Sequence, residues 1–258
     1  MAYVRPKKSL GQHFLKDQNV AQKIVDAIDG LKQKTVLEIG PGTGVLTSML
    51  IKKEDINFHA IEIDSEAYEF LQATYPSLGE KLIFKNFLKL DLVEVFKEPI
   101  TIIGNFPYNI SSQIFFKALE NRDLVLDIVC MIQKEVAERI SSPHGSKKYG
   151  ILSVFLQAFY DIEYLFTVGP EVFNPPPKVN SGVIRLKRNT RKELDCDEAL
   201  FFQIVKMGFN QRRKTLRNSL KSILVDLPTD NEIFGQRPEQ LNVEDFIYLT
   251  NLIDSEIK

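Results

Sequence analysis

Thr35-Val36-Leu37-Glu38-Ile39-Gly40-Pro41-Gly42-Thr43-Gly44 is the stretch on which the fold turns. A short apolar run leads straight into a glycine-rich turn, and the turn opens a helical pattern from Val45 to Lys53. A buried strand, a turn lacking β-carbons and a helix form the first unit of a nucleotide-binding α/β sheet, where a ligand approaches bare backbone. The dinucleotide fingerprint asks for a third glycine where this chain has Val45, which disfavours a pyrophosphate. Gly40, Gly42 and Gly44 instead suit an uncharged, compact cofactor tail such as the amino-acid end of S-adenosylmethionine.

Downstream, three more strands end in residues of chemical interest. Asn57 to Ile61 runs into Glu62-Ile63-Asp64, and an acid about 20 residues beyond the glycine turn is where such sheets bind a ribose diol. Glu62 is assigned that role, and Asp64 is read as the cap of the following helix. Leu82-Ile83-Phe84 ends near Asn86, where an adenine edge would sit. The fourth strand, Ile100 to Gly104, ends in Asn105-Phe106-Pro107-Tyr108. Phe106 precedes Pro107, so its backbone is extended and its carbonyl fixed in direction. With the Asn105 side-chain oxygen, that carbonyl offers two acceptors for the two N–H bonds of a heterocyclic amine, against whose ring Tyr108 can lie. The same residue types also build an ordinary strand-to-helix turn. Four polar or glycine-rich strand ends in succession, at the edge where open α/β sheets bind ligands, weigh towards a site.

Further along, a strand over Leu124 to Ile132 leads to a surface helix over Gln133 to Arg139 and a polar loop, Ser141 to Tyr149. An apolar helix, Ile151 to Tyr160, follows. Strands at Tyr164 to Val168 and Val179 to Leu186 flank a loop whose three prolines, 175 to 177, stiffen it. That stiffness either holds Phe173 over a pocket or serves the hairpin alone. The composition shifts after Lys187, which places a first domain at 1–188 and a helical one at 189–258. Within the latter, Leu216, Leu220, Ile223 and Leu224 share one helix face while Lys214, Arg217 and Lys221 share another. With Arg212 and Arg213 adjacent, this basic face suits RNA phosphates, or it is simply solvated. Upstream of the glycine turn, Gly11-Gln12-His13-Phe14-Leu15 is too irregular for a strand and too apolar for a free tail. It is read as folded against the core near a pocket, with Asp17 capping the next helix.

Composition bounds the reading. The chain has 258 residues, 44% of them hydrophobic, which is enough for one large domain and a small one. Its formal charge is −1, so a polyanionic partner must meet a local basic patch. Cys130 and Cys196 stand far apart among three scattered histidines, and neither a disulfide framework nor a metal-ligand cluster is visible. No secretory segment or membrane span is apparent, and a cytoplasmic location is expected.

GQHFL at 11–15, EIGPGTG at 38–44, GNFPYNIS at 104–111, QKEVAERI at 133–140, FNPPPKVNS at 173–181 and FNQRRKTLRNSL at 209–220 together resemble the bacterial small-subunit ribosomal RNA adenine dimethyltransferase A family, the kasugamycin-sensitivity enzymes. The resemblance implies a Rossmann-like class I S-adenosylmethionine-dependent methyltransferase domain with a small C-terminal helical domain. It also implies transfer of two methyl groups to N6 of each of two adjacent adenines near the 3′ end of 16S rRNA, in the immature small subunit, by a monomer. Carried over by motif, His13 and Leu15 would border the cofactor, with Gly40 at its methionine end. Asn105 would touch both cofactor and target, and Phe173 would stack beside Tyr108 on the target base. The family often has Asn at position 13 and usually Asp at position 86, and more often Leu than Phe at 106. Asn86 can still accept through its carbonyl oxygen. Three other readings stand beside this one: a large-subunit RNA methyltransferase, a non-catalytic RNA-binding assembly factor and a nicotinamide-linked oxidoreductase, the last needing the glycine that Val45 replaces.

Overall fold

A computed structural model describes residues 4–31, 33–224 and 228–257. Its nine strands are β1 (Phe14–Leu15), β2 (Thr35–Ile39), β3 (Asn57–Glu62), β4 (Leu82–Phe84), β5 (Ile100–Asn105), β6 (Val125–Gln133), β7 (Tyr160–Val168), β8 (Phe173–Asn174) and β9 (Ser181–Arg188). Seven form one sheet in the order β4-β3-β2-β5-β6-β9-β7, and β1 pairs with β8 in a separate two-stranded ribbon. From β4 to β6 neighbouring strands run parallel, and β9 runs antiparallel to β6. The order reverses at β2, which lies between β3 and β5, and ligands bind in the crevice that such a reversal opens at the carboxyl ends. Every residue of β2 is buried, as expected for a central parallel strand covered on both faces.

The helices are α1 (Gln18–Asp26), α2 (Thr47–Leu50), α3 (Ser65–Thr74), α4 (Leu92–Val95), α5 (Ser111–Glu120), α6 (Lys134–Ser141), α7 (Ile151–Gln157), α8 (Glu198–Asn210), α9 (Leu216–Ser219) and α10 (Val243–Ile257). Asp17 and Asp64 cap α1 and α3 through their carboxylates, as their positions in the sequence suggest. None is long and apolar enough to cross a membrane, among the described residues.

Four expectations are corrected. The helix expected over Val45 to Lys53 contracts to α2: the Ser48 hydroxyl takes the Val45 carbonyl at 2.8 Å, and the Met49 amide turns to Leu46 instead. The piece 11–15 does contain a strand, because Phe14 and Leu15 find partners in Asn174 and Phe173. The apolar helix expected to reach Tyr160 stops at Gln157, and Tyr160 opens β7. The basic stretch 211–215 is a turn, not a helix face: Gln211 ends α8 at φ −118° and Thr215 is extended before α9.

The chain forms two compact units, one of residues 1–137 and 161–188, the other of 138–160 and 189–258. The later crossing between the units falls after Arg188, and 138–160 groups with the C-terminal residues rather than with the sheet. The reason is aromatic packing. Phe155 of α7 meets Phe202 of α8 edge-on at 4.5 Å and also packs on Phe201, which in turn meets Phe246 of α10. Each such ring pair adds ~0.5–1.5 kcal/mol beyond area burial.

Candidate active site

A cavity of about 260 Å³ opens in the first unit at the carboxyl ends of β2, β3 and β5. The glycine turn forms its floor. Gly40 and Gly42 have φ of 66° and 56°, a left-handed backbone that side chains resist. A β-carbon on Gly42 would also stand 2.8 Å from the Phe14 ring, so glycine is required there twice over.

Glu62 is 3% exposed, and both oxygens of its carboxylate accept backbone hydrogen bonds. Gly42 donates its amide to Oε2 at 3.1 Å, while Ile63 and Asp64 donate theirs to Oε1 at 2.8 and 2.9 Å. Burial pushes the Glu62 pKa above the ordinary carboxylate value despite these three donors. Asn86 lines the same cavity and caps a short turn, its Oδ1 accepting the Leu88 amide at 2.9 Å. A carbonyl oxygen has two lone pairs, so one acceptor direction remains. Ile61, Ile63, Phe87 and Leu88 supply apolar wall between Glu62 and Asn86.

At the β5 end, the Asn105 amide nitrogen donates to the His13 carbonyl at 2.8 Å, which fixes the orientation of the side chain and leaves Oδ1 as its acceptor. The Phe106 amide is tied to the Met131 carbonyl at 3.0 Å, and the Phe106 ring is buried against Phe115. Among the described residues no hydrogen bond is accepted by Asn105 Oδ1 or by the Phe106 carbonyl. Pro107 and Tyr108 complete this wall, with the Tyr108 hydroxyl held by Ser181 at 2.7 Å. The His13 ring lies 5.5 Å from that of Tyr108, and its Nδ1 is 2.8 Å from the Pro175 carbonyl. A carbonyl only accepts, so Nδ1 donates.

Thus His13, Gly40, Gly42, Glu62, Asn86, Asn105, Phe106, Pro107 and Tyr108 share one cavity. Leu15 does not reach it; buried in β1, it borders a smaller space of about 30 Å³ with Gly40 and Asn105. Phe173 departs from expectation. It is 1% exposed and packed in the core opposite Leu15, so in this conformation its ring is not available to a target base. Reading the sequence also missed Gln12, Ile63, Lys85 and Asn109, which line the cavity, and Ser181, which orients Tyr108. Gln12, Asn109 and Ser181 lie inside motifs already singled out, which was the signal available for them.

The basic residues of the second unit divide. Arg212 is half-buried and its guanidinium donates to the Ser146 carbonyl at 3.2 Å, with Glu239 at 3.9 Å. Arg217 is exposed but donates to the Thr229 carbonyl at 2.7 Å. Arg213 and Lys214 are exposed on the turn.

A family model described as ribosomal RNA adenine dimethylase matches residues 4–248. The chain belongs to the ribosomal RNA adenine dimethylase family. Proteins named ribosomal RNA small subunit methyltransferase A from Bacteroides thetaiotaomicron and Cytophaga hutchinsonii are 57% and 54% identical to it. The matches cover 100% and 99% of this chain, and 97% and 100% of theirs. A dimethyladenosine transferase from Plasmodium falciparum superposes with a TM-score of 0.77 at 25% identity, covering 95% of this chain and 98% of the other. The 23S rRNA methyltransferase ErmE shares the fold, with a TM-score of 0.66 at 23% identity, over 92% of this chain and 99% of the other. This adenine dimethylase is accordingly a methyltransferase with a Rossmann-like class I domain, and the cavity lies at the carboxyl ends of its parallel strands.

Proposed function

We propose that this adenine dimethylase transfers methyl groups from S-adenosylmethionine to N6 of two adjacent adenines in the 3′-terminal hairpin loop of 16S rRNA, acting as a monomer on the immature small subunit in the cytoplasm. The observation that carries the reading is the pair of unclaimed acceptors on one cavity wall, Asn105 Oδ1 and the Phe106 carbonyl, held by bonds to His13 and Met131.

The donor set fits S-adenosylmethionine: a prepared carboxylate for the ribose, bare glycine backbone for the methionine end and an apolar slot ending in Asn86 for the adenine. Bound there, the cofactor supplies an electrophilic methyl group on a sulfonium. The chain's own residues do the rest. Adenine N6 is a poor nucleophile because its lone pair is delocalised into the ring. Asn105 Oδ1 and the Phe106 carbonyl accept its two hydrogens in the first transfer, and one of them accepts the single remaining hydrogen in the second, favouring a pyramidal nitrogen with its lone pair along the line of displacement; after each transfer the nitrogen sheds a proton to solvent. The acceptors also stabilise positive charge developing on that nitrogen. Tyr108, steadied by Ser181, supports the face of a base taken out of its stack. Phe173 joins it only if β8 leaves its pairing with β1. Exposed Arg213, Lys214 and Arg217 contact RNA phosphates, with Arg212 shaping the turn that presents them.

Unmethylated small subunits and, in parallel, large subunits, each incubated with the protein and isotopically labelled S-adenosylmethionine, test this reading. N6,N6-dimethyladenosine at two adjacent 16S positions, located by mass spectrometry of nuclease fragments, is the expected product. Label confined to 23S rRNA, or none in either RNA, would overturn it.

A further inference from the structure

Residues 7–12 make a closed loop over the cavity. The Lys7 amide donates to Gln12 Oε1 at 2.7 Å, and the Gln12 amide returns to the Lys7 carbonyl at 3.4 Å. Both ends of that loop are then pinned to one carboxylate: Lys7 Nζ binds Asp64 Oδ1 and Gln12 Nε2 donates to Asp64 Oδ2 at 2.9 Å. The residues between, Ser9 to Gly11, together with Gln12, line the cavity. The Asp64 side chain is 0% exposed, so the ion pair forms against a buried carboxylate rather than in open solvent. Such a pair is screened far less than a surface one.

Asp64 is also tied to the site from the other side, since its amide donates to Glu62 Oε1 at 2.9 Å. Beyond Gln12 the loop continues into His13, whose carbonyl orients Asn105. One carboxylate thus joins the strand end that carries Glu62 to the segment that aims Asn105. Helix capping alone does not call for this arrangement. The cap uses a single bond, from the Glu66 amide to Asp64 Oδ1 at 3.1 Å, and a serine provides it equally well.

We infer that Lys7, Gln12 and Asp64 are positioning residues that latch the 7–12 loop down as the outer wall of the cofactor site. This inference rests on the cofactor reading above. Opening the latch leaves the sheet untouched and removes one wall, so affinity falls while the fold persists. Within a latch, breaking either partner breaks the whole, so the two losses do not add.

The test is calorimetric titration with S-adenosylhomocysteine of the parent, Lys7→Met, Asp64→Ser, the double variant and Lys7→Arg, each with a thermal midpoint measured without ligand. Lys7→Met and Asp64→Ser are expected to weaken binding about 10-fold or more, the double variant to be no more than about 3-fold worse than the weaker single, and Lys7→Arg to stay near the parent. Midpoints of the ligand-free proteins should stay within a few degrees. Lys7→Met binding within twofold of the parent, or losses that multiply in the double variant, would overturn the latch while the cofactor reading stands. A parent protein that binds no S-adenosylhomocysteine would overturn both.

Discussion

Glu38 and Glu62 sit on neighbouring strands, both buried, and their surroundings assign them different tasks. Glu38 is 2% exposed beneath the glycine turn, and burial pushes its pKa up to about 8 against the pull of the Thr47 hydroxyl, 2.6 Å away. Its stabilising protonated form is present in full below the ordinary value of 4.5 and is lost as pH rises through about 8. Glu38→Gln, neutral throughout, should match the parent near pH 4 and exceed its stability at pH 8 by about 2–4 kcal/mol in urea unfolding. For Glu62 the raised pKa has a ligand consequence: if its carboxylate accepts the ribose hydroxyls, acidification should weaken S-adenosylhomocysteine binding sooner than an ordinary carboxylate would. Glu62→Gln should lose about 1.5–3 kcal/mol of affinity at neutral pH and flatten that acid limb. An unchanged affinity would remove Glu62 from the site. The place of Glu62 at the cavity was legible in the sequence because an acid ending the second strand, past a glycine turn, falls at the carboxyl edge of the sheet. The Asp64 latch was not, since its partners lie 57 and 52 residues away and each is an ordinary surface or capping residue until the fold joins them.

Among the elements, β5 has a tightly specified backbone at Gly104. A β-carbon on Gly104 would stand 2.7 Å from the Ile39 carbonyl and 3.2 Å from the Phe106 ring. Neither the β2 backbone nor a buried ring gives way easily, so Gly104→Ala should cost roughly 1–3 kcal/mol of stability and displace Asn105. Thermal unfolding and single-turnover rate should fall together; a fully active, undiminished protein would mean that β2 and β5 adjust freely. The strands β2 to β6 and β9 were readable because each is an apolar run closed by turn residues. Short segments were not. α2 yielded to a serine hydroxyl, and the 211–215 turn precedes an apolar spacing, Leu216 and Leu220, that is itself correct: both side chains are buried. Periodicity reports which side is buried, not whether the backbone remains helical from one buried residue to the next. β1 escaped notice because its two residues are a strand only by virtue of β8, 158 positions later.

Across the whole molecule, a chain of formal charge −1 must bind RNA through local charge. Reversing Arg213 and Lys214 should weaken binding to small-subunit RNA and reduce the log-log salt slope by roughly 0.7–0.9 for each phosphate no longer neutralised, with cofactor affinity unmoved. An unchanged slope would return these residues to the solvated surface. Arg212 is expected to behave differently, since its guanidinium holds the Ser146 carbonyl and its loss loosens the turn. The two-unit division also explains why an early segment, 138–160, escaped assignment to the C-terminal unit: its partners Phe201 and Phe202 come more than forty residues later in the chain, as a tertiary choice that local pattern does not reveal. On the mechanism proposed above, methyl transfer depends on the two acceptors at the end of β5, and Asn105→Ala tests them most directly. With S-adenosylmethionine and unmethylated small subunits both saturating, single-turnover methyl transfer should fall by roughly 100-fold or more while RNA binding persists. Transfer at the parental rate under those conditions would contradict the mechanism.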